Sequence, residues 1–192
     1  MIGNDVVDLG DPESRAEGRH PRFDERVFDE AERALIEASG QPERIRWLLW
    51  AAKESAYKAA RKADPRTIFA PSRFHTERCA DAWLTVGIGD RRFRVDVVMG
   101  AGHLHAVARR PGDPPAAVHS AVARLRGGAT GGEAVRRLAI ARLSRLLAVA
   151  PEELAIRREG RIPALWLRGR RGPADLSLSH HGRFVAFACT LP

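Results

Sequence analysis

Gly102-His103-Leu104-His105-Ala106-Val107-Ala108 and Gly182-Arg183-Phe184-Val185-Ala186-Phe187-Ala188 line up along the chain. Each is a glycine turn running into small and apolar residues, the pattern of a strand entered through a hairpin. A strand pattern precedes each copy, at 93–98 and at 174–178. A helical stretch stands further upstream of both. Repetition on this scale implies an α+β chain of two pseudo-repeated halves, each a small antiparallel sheet packed with a long helix.

Working outward, residues 2–7 read as a short strand and 9–21 as a polar, turn-rich wrap. Phe23, Val27, Phe28, Ala31, Leu35 and Ile36 recur at helical spacing, and Asp29 with Glu32 fits a cap for a second helix inside that segment. Pro42 opens a helix over 43–62 that stops at Asp64-Pro65. Residues 82–88 and 92–98 alternate as a hairpin around Gly87-Ile88-Gly89-Asp90, which lacks nucleotide-loop spacing. A third strand covers 104–108. Prolines 111, 114 and 115 mark a crossing, 116–126 reads as a short helix, and Gly127 to Gly132 is flexible punctuation. A helix over 133–149 and strands near 154–158, 164–168, 174–179 and 184–189 complete the chain. The halves so defined are 1–112 and 133–192, joined by a linker over 113–132.

Composition bounds the function. The 192 residues are 44% hydrophobic, enough for a core without metal or disulfide staples, and carry 32 Lys and Arg against 24 Asp and Glu for a net charge of +8. Cys79 and Cys189 make no disulfide framework and fit a reducing compartment. No apolar run approaches a membrane span and the first residues lack a signal-peptide pattern, so a cytoplasmic protein with no membrane partner is expected. Arginines crowd at 136–137, 157–158, 161 and 168–171. With no finger spacing and no basic stripe interleaved with aromatics, nucleic acid is not the expected partner. A phosphorylated ligand or an acidic protein suits the same charge.

Three places carry candidate chemistry. Asp5 lies in an otherwise apolar strand, where a carboxylate needs a cation or donors, although a turn or edge position explains it equally well. On a strand Asp8 points opposite to Asp5, which leaves its part in any metal site open. Trp50, Glu54 and Lys58 are spaced i, i+4, i+8 and share one helix face, either as a surface ion pair or as a partly buried carboxylate and ammonium. Carboxylates with substrate phosphates suit Mg²⁺. Ser177-Leu178-Ser179-His180-His181-Gly182 ends a strand with hydroxyls and imidazoles that suit phosphate oxygens, or that simply form a polar turn. It lacks the Gly-x-Ser-x-Gly elbow of a hydrolase.

At these residues the chain resembles the 4′-phosphopantetheinyl transferase superfamily. Gly3-Asn4-Asp5-Val6-Val7-Asp8-Leu9 resembles its Gly-x-Asp-Ile-Val-Glu-Ile segment, and His20-Pro21-Arg22-Phe23 through Val27-Phe28 and Glu32 the stretch that follows. Trp50-Ala-Ala-Lys-Glu-Ser-Ala-Tyr-Lys58 matches its Lys-Glu-x-x-x-Lys signature, with Arg44 placed like an upstream arginine of holo-acyl-carrier-protein synthases. Gly160-Arg161-Ile162-Pro163 is a loosened Gly-Lys-Pro, and Ser177 to Ala188 resembles the Ser-x-Ser/Thr-His strand.

The resemblance implies transfer of the phosphopantetheine arm of coenzyme A to a serine of an acidic acyl or peptidyl carrier protein in fatty-acid, polyketide or peptide assembly. By the same resemblance adenosine 3′,5′-bisphosphate would be released. Asp5 and Glu54 would hold Mg²⁺, Lys58 would bind phosphate, and Lys53 would support the same electrostatic end. Ser179 and His180 would contact the 3′-phosphate, with Arg44 nearby. Asp5, Glu54 and Lys58 form the implied catalytic set, and the base is either Glu54 or a water on the metal. The motif order is that of the small trimeric synthases, whereas the length suits a fused chain with one intramolecular site, so a monomer is expected. A degenerate relative that binds coenzyme A or carrier without transfer, and an arginine-rich nucleic-acid binder, are the alternatives.

Overall fold

The computed structural model describes residues 1–80, 83–113, 117–125 and 127–191. Strand β1 (Ile2–Asp8) is followed by single-turn 3-10 segments, then helices α1 (Phe23–Val27), α2 (Glu30–Ala38) and α3 (Pro42–Ala63). Strands β2 (His75–Ala80), β3 (Trp83–Ile88), β4 (Arg91–Gly100) and β5 (His103–Arg109) complete the first half. The second runs β6 (Val118–Arg124), α4 (Gly131–Leu147), β7 (Leu154–Glu159), β8 (Ile162–Leu167), β9 (Arg170–His181) and β10 (Phe184–Thr190). Two five-stranded antiparallel sheets result, ordered β1-β5-β4-β3-β2 and β6-β10-β9-β8-β7. The second order is the first advanced by five strands, so the pseudo-repeat is a repeat of topology.

The capping box of α2 forms as its sequence implies: Asp29 accepts from the Glu32 N–H, and Glu32 accepts from the Asp29 N–H. Pro42 stands in the first turn of α3, where its missing N–H costs nothing. Small residues Ala51, Ala52, Ser55, Ala56, Ala59 and Ala60 are buried on α3, which lets the helix lie close to its sheet. The approach is tight at Gly3, where a Cβ would lie 2.0 Å from the Ser55 carbonyl oxygen. Val7, Leu84, Val86, Val95, Leu104 and Ala106 fill the core beneath α3. Val135, Ala139, Leu143, Leu176, Val185, Phe187 and Cys189 fill the core beneath α4. Between the halves, Ile2, Val107 and Ala188 make one small apolar contact, and Val6, Phe184 and Ala186 another.

Two expectations are corrected. The short helix over 116–126 is instead the edge strand β6, paired with β10 throughout its length. It therefore belongs to the second sheet, inside the span read as a linker. Residues 114–116 and 126 lie outside the described residues.

The residue alignment of the repeat is also one position out of step. Gly100 pairs with His103 across one hairpin loop and His181 with Phe184 across the other. His103 therefore matches Phe184. Leu104, Ala106 and Ala108 face α3 as Val185, Phe187 and Cys189 face α4. A one-residue slip exchanges the faces of a strand, so Ser177 and Ser179 correspond to Asp96 and Val98, whereas extending the sequence alignment back along the strands sets them against Val97 and Met99.

Candidate active site

The outward edge of β1 is completed by the second half. The N–H groups of Ile2, Asn4, Val6 and Asp8 point away from β5, and each donates to a side chain of β9. The acceptors are Asp175 Oδ2 at 2.8 Å, Ser177 Oγ at 2.9 Å, Ser179 Oγ at 3.1 Å and His181 Nδ1 at 3.0 Å. Residues two apart on a strand share a face, so one side of β9 meets every second N–H of β1. These bonds spare the edge of β1 the cost of buried, unpaired donors.

On that edge Asp5 is 5% exposed and faces α3. Its Oδ1 accepts from Lys58 Nζ at 2.9 Å and from Ser179 Oγ at 2.8 Å. Lys58 also donates to the Asn4 carbonyl at 3.0 Å and lies 3.1 Å from Glu54 Oε1, one helical turn earlier. Burial pulls the Lys58 ammonium toward its neutral form, and the carboxylates of Asp5 and Glu54 outweigh it, so its pKa ends above the usual lysine value. Burial, and then the charge of Asp5, raise the pKa of Glu54 despite Lys58. Two carboxylates against one ammonium leave the group short of positive charge.

These residues line a cleft of about 250 Å³ with Trp47, Trp50, Leu178, Ser179, His180 and His181. Trp47 is fixed by an Nε1–H donation of 2.7 Å to the Ser14 carbonyl. Leu178 and His180 also line a basic hollow with Arg136, Arg158 and Arg161, beside Gly132 in the first turn of α4. His180 is exposed and packs on Gly131. Burial, and next the charge of Lys58, depress its pKa. A third hollow, lined by Tyr57, Lys58, Arg61, Ile162, Pro163 and Leu178 among others, shares Lys58 and Leu178 with the cleft. Asp11, Glu13 and His181 bring three further ligand atoms within 4.8 Å of one another.

The structure thus brings Asp5, Glu54, Lys58, Ser179 and His180 together. It does not bring Lys53 or Arg44. Lys53 is fully buried, donating to Glu32 Oε2 at 2.6 Å, to the Val27 carbonyl at 2.8 Å and to that of Pro71 at 3.2 Å. Arg44 is exposed near the start of α3 and donates to Gln41 Oε1.

Asp8, whose role the sequence left open, is fully buried. Arg183 grips it through Nε at 2.7 Å and a terminal nitrogen at 2.6 Å, and the Arg183 and Gly10 N–H groups donate to it as well. The Arg183 hydrogen bond outweighs burial and holds the carboxyl well below the usual range. Sequence reasoning missed Trp47 as cleft wall and His181 as a β1 acceptor; the i, i+3 spacing of Trp47 and Trp50 was a local signal for the first, and the arginine crowding at 136–137 and 157–158 signalled the basic hollow without placing it.

A cleft holding paired carboxylates and a lysine, with a basic hollow beside it, has the chemistry to bind phosphate groups. The 4′-phosphopantetheinyl transferase superfamily model matches residues 1–108, and the chain belongs to that superfamily. Its class is that of phosphopantetheinyl transferases. Among solved structures it is similar to Thermotoga maritima holo-[acyl-carrier-protein] synthase, at 12% identity and a TM-score of 0.43, covering 88% of this chain and 83% of that chain. No curated protein sequence matches. Among the described residues, no helix is long and apolar enough to cross a membrane.

Proposed function

We propose that the protein transfers the 4′-phosphopantetheine arm of coenzyme A to a serine of an acidic acyl or peptidyl carrier protein, releasing adenosine 3′,5′-bisphosphate. One observation carries this reading: Asp5, Glu54 and Lys58 from the first half and His180 from the second line a single cleft. The donor set suits Mg²⁺, since two carboxylates face the cavity with one ammonium between them, and burial first, then the charge of Asp5, disfavour an ionised Glu54 that a bound cation would stabilise. Asp5 and Glu54 would hold the ion, which would supply positive charge against the pyrophosphate.

The remaining steps fall to the chain. Lys58, held between Asp5 and Glu54, presents its ammonium to the phosphate under attack. His180, with Arg136, Arg158 and Arg161, offers charge and donors to the 3′-phosphate at the other end of the ligand. The slot of Tyr57, Ile162, Pro163 and Leu178 offers apolar faces to the adenine. Glu54 is within the same cleft to take the serine proton, and a water there is the other candidate. The net charge of +8 favours encounter with an acidic carrier. Since both walls of the cleft come from one chain, the active species is a monomer in this reading.

Intact-mass spectrometry of apo carrier proteins incubated with coenzyme A, Mg²⁺ and the protein tests it. One phosphopantetheine should be gained, and the gain should disappear with EDTA. Coenzyme A binding without any mass gain across a broad carrier panel would establish a binder in place of a transferase.

A further inference from the structure

We infer that Ser179 is a positioning residue for Asp5 and does not contact the phosphates of coenzyme A, an inference that rests on the transferase reading above. A serine hydroxyl has one proton to donate. That of Ser179 goes to Asp5 Oδ1 at 2.8 Å, while its oxygen accepts the Val6 N–H at 3.1 Å. An ionised phosphate oxygen only accepts. Ser179 can therefore bind phosphate only by releasing Asp5, and at 6% exposure it offers little surface to the cleft it lines.

Its neighbours point the same way. Asp175, Ser177 and His181 occupy the same face of β9 and also accept from β1, so Ser179 is the third of four acceptors in a row. It differs from them in meeting a carboxylate that lines the cleft. Lys58 and Ser179 both land on Oδ1, and among the described residues Oδ2 accepts no hydrogen bond. The carboxylate plane is thereby fixed with one oxygen's lone pairs left for a cation. His180 is exposed and faces the hollow of Arg136, Arg158 and Arg161, so phosphate recognition falls to it.

The two roles separate in equilibrium binding without turnover. Mn²⁺ affinity, read by electron paramagnetic resonance, reports Asp5. The ratio of affinities for coenzyme A and 3′-dephospho-coenzyme A reports the 3′-phosphate contact. Ser179→Ala is expected to weaken Mn²⁺ roughly tenfold, as loss of a ligand-orienting hydrogen bond does, and to leave the ratio at its wild-type value. Ser179→Thr, which keeps the hydroxyl, should restore the metal affinity, and His180→Ala should lower the ratio.

Should the alanine variant melt early, Ser179→Cys keeps the size with a weaker donor and should fall between. Unchanged Mn²⁺ binding in Ser179→Ala, with or without a collapsed ratio, overturns the inference. Wild-type protein that binds neither Mn²⁺ through Asp5 nor coenzyme A instead overturns the transferase reading, a distinguishable result.

Discussion

Replacing Lys53 by methionine separates two meanings of one residue. In the fold its ammonium is fully buried and 2.6 Å from Glu32, whose side chain is 2% exposed. Methionine fills the place of the stem, so little cavity is created and the loss is electrostatic. Glu32 would keep the N–H groups of Asp29 and Thr76 but lose its counter-charge. Breaking a buried pair from one side costs about 3–5 kcal/mol, a large part of the roughly 5–15 kcal/mol that holds a domain together.

The companion change Glu32→Gln removes the orphaned charge. The double variant should thus recover about 2 kcal/mol relative to Lys53→Met, a coupling that urea unfolding followed by tryptophan fluorescence resolves. Coenzyme A affinity of the folded variants should match the wild type. A Lys53→Met protein within about 1 kcal/mol of wild-type stability, with coenzyme A binding weakened, would refute the buried-pair argument and return Lys53 to the phosphates.

Asp5→Asn and Glu54→Gln should each abolish the Mg²⁺-dependent mass gain of the carrier while leaving the circular dichroism spectrum intact. Burial, with minor repulsion from His103 and Lys58, pushes the His105 pKa down to about 4. The folded state thus refuses a proton that the unfolded chain takes near pH 6.5. Stability from this group is intact above that pH and falls by about 3 kcal/mol as the pH drops from about 6.5 through 4. His105→Gln should flatten that part of the urea-midpoint profile relative to wild type. Arg183→Ala leaves Asp8 with two backbone donors but without its counter-charge and should lower the urea midpoint. Gly3→Ala forces a methyl against the backbone of α3, so a loss of about 3 kcal/mol is expected, measurable as a lowered melting temperature.

What the sequence disclosed follows from the range of the forces involved. Helix α3 was legible because Pro42, its small buried residues and Asp64-Pro65 are local signals. The same holds for the capping box at Asp29 and Glu32. Strand β6 was misread because Val118 to Arg124 is rich in residues that a helix also accepts, and it is pairing with β10 that makes it a strand. Strand β2, polar along His75–Ala80, gave no alternation to read.

At the site, Trp50, Glu54 and Lys58 were legible from helical spacing. Lys53 is one residue, about 100° of helical rotation, from Glu54, and so points into a different environment. The presence of Ser179 was also legible. Its partner was not, because the bond to Asp5 spans 174 positions and depends on how two sheets meet.

That same distance has a consequence in time. The edge of β1 is closed by acceptors that follow it by 173 positions. At roughly 5–20 residues per second, synthesis leaves this row of donors without its acceptors for on the order of ten to thirty seconds. Through that interval the first half is a nascent sheet with an open margin, the kind of surface on which stray strands add. Arrival of β9 ends that exposure and assembles the cleft in the same event, so the polypeptide becomes safe from mispairing at the moment it becomes competent.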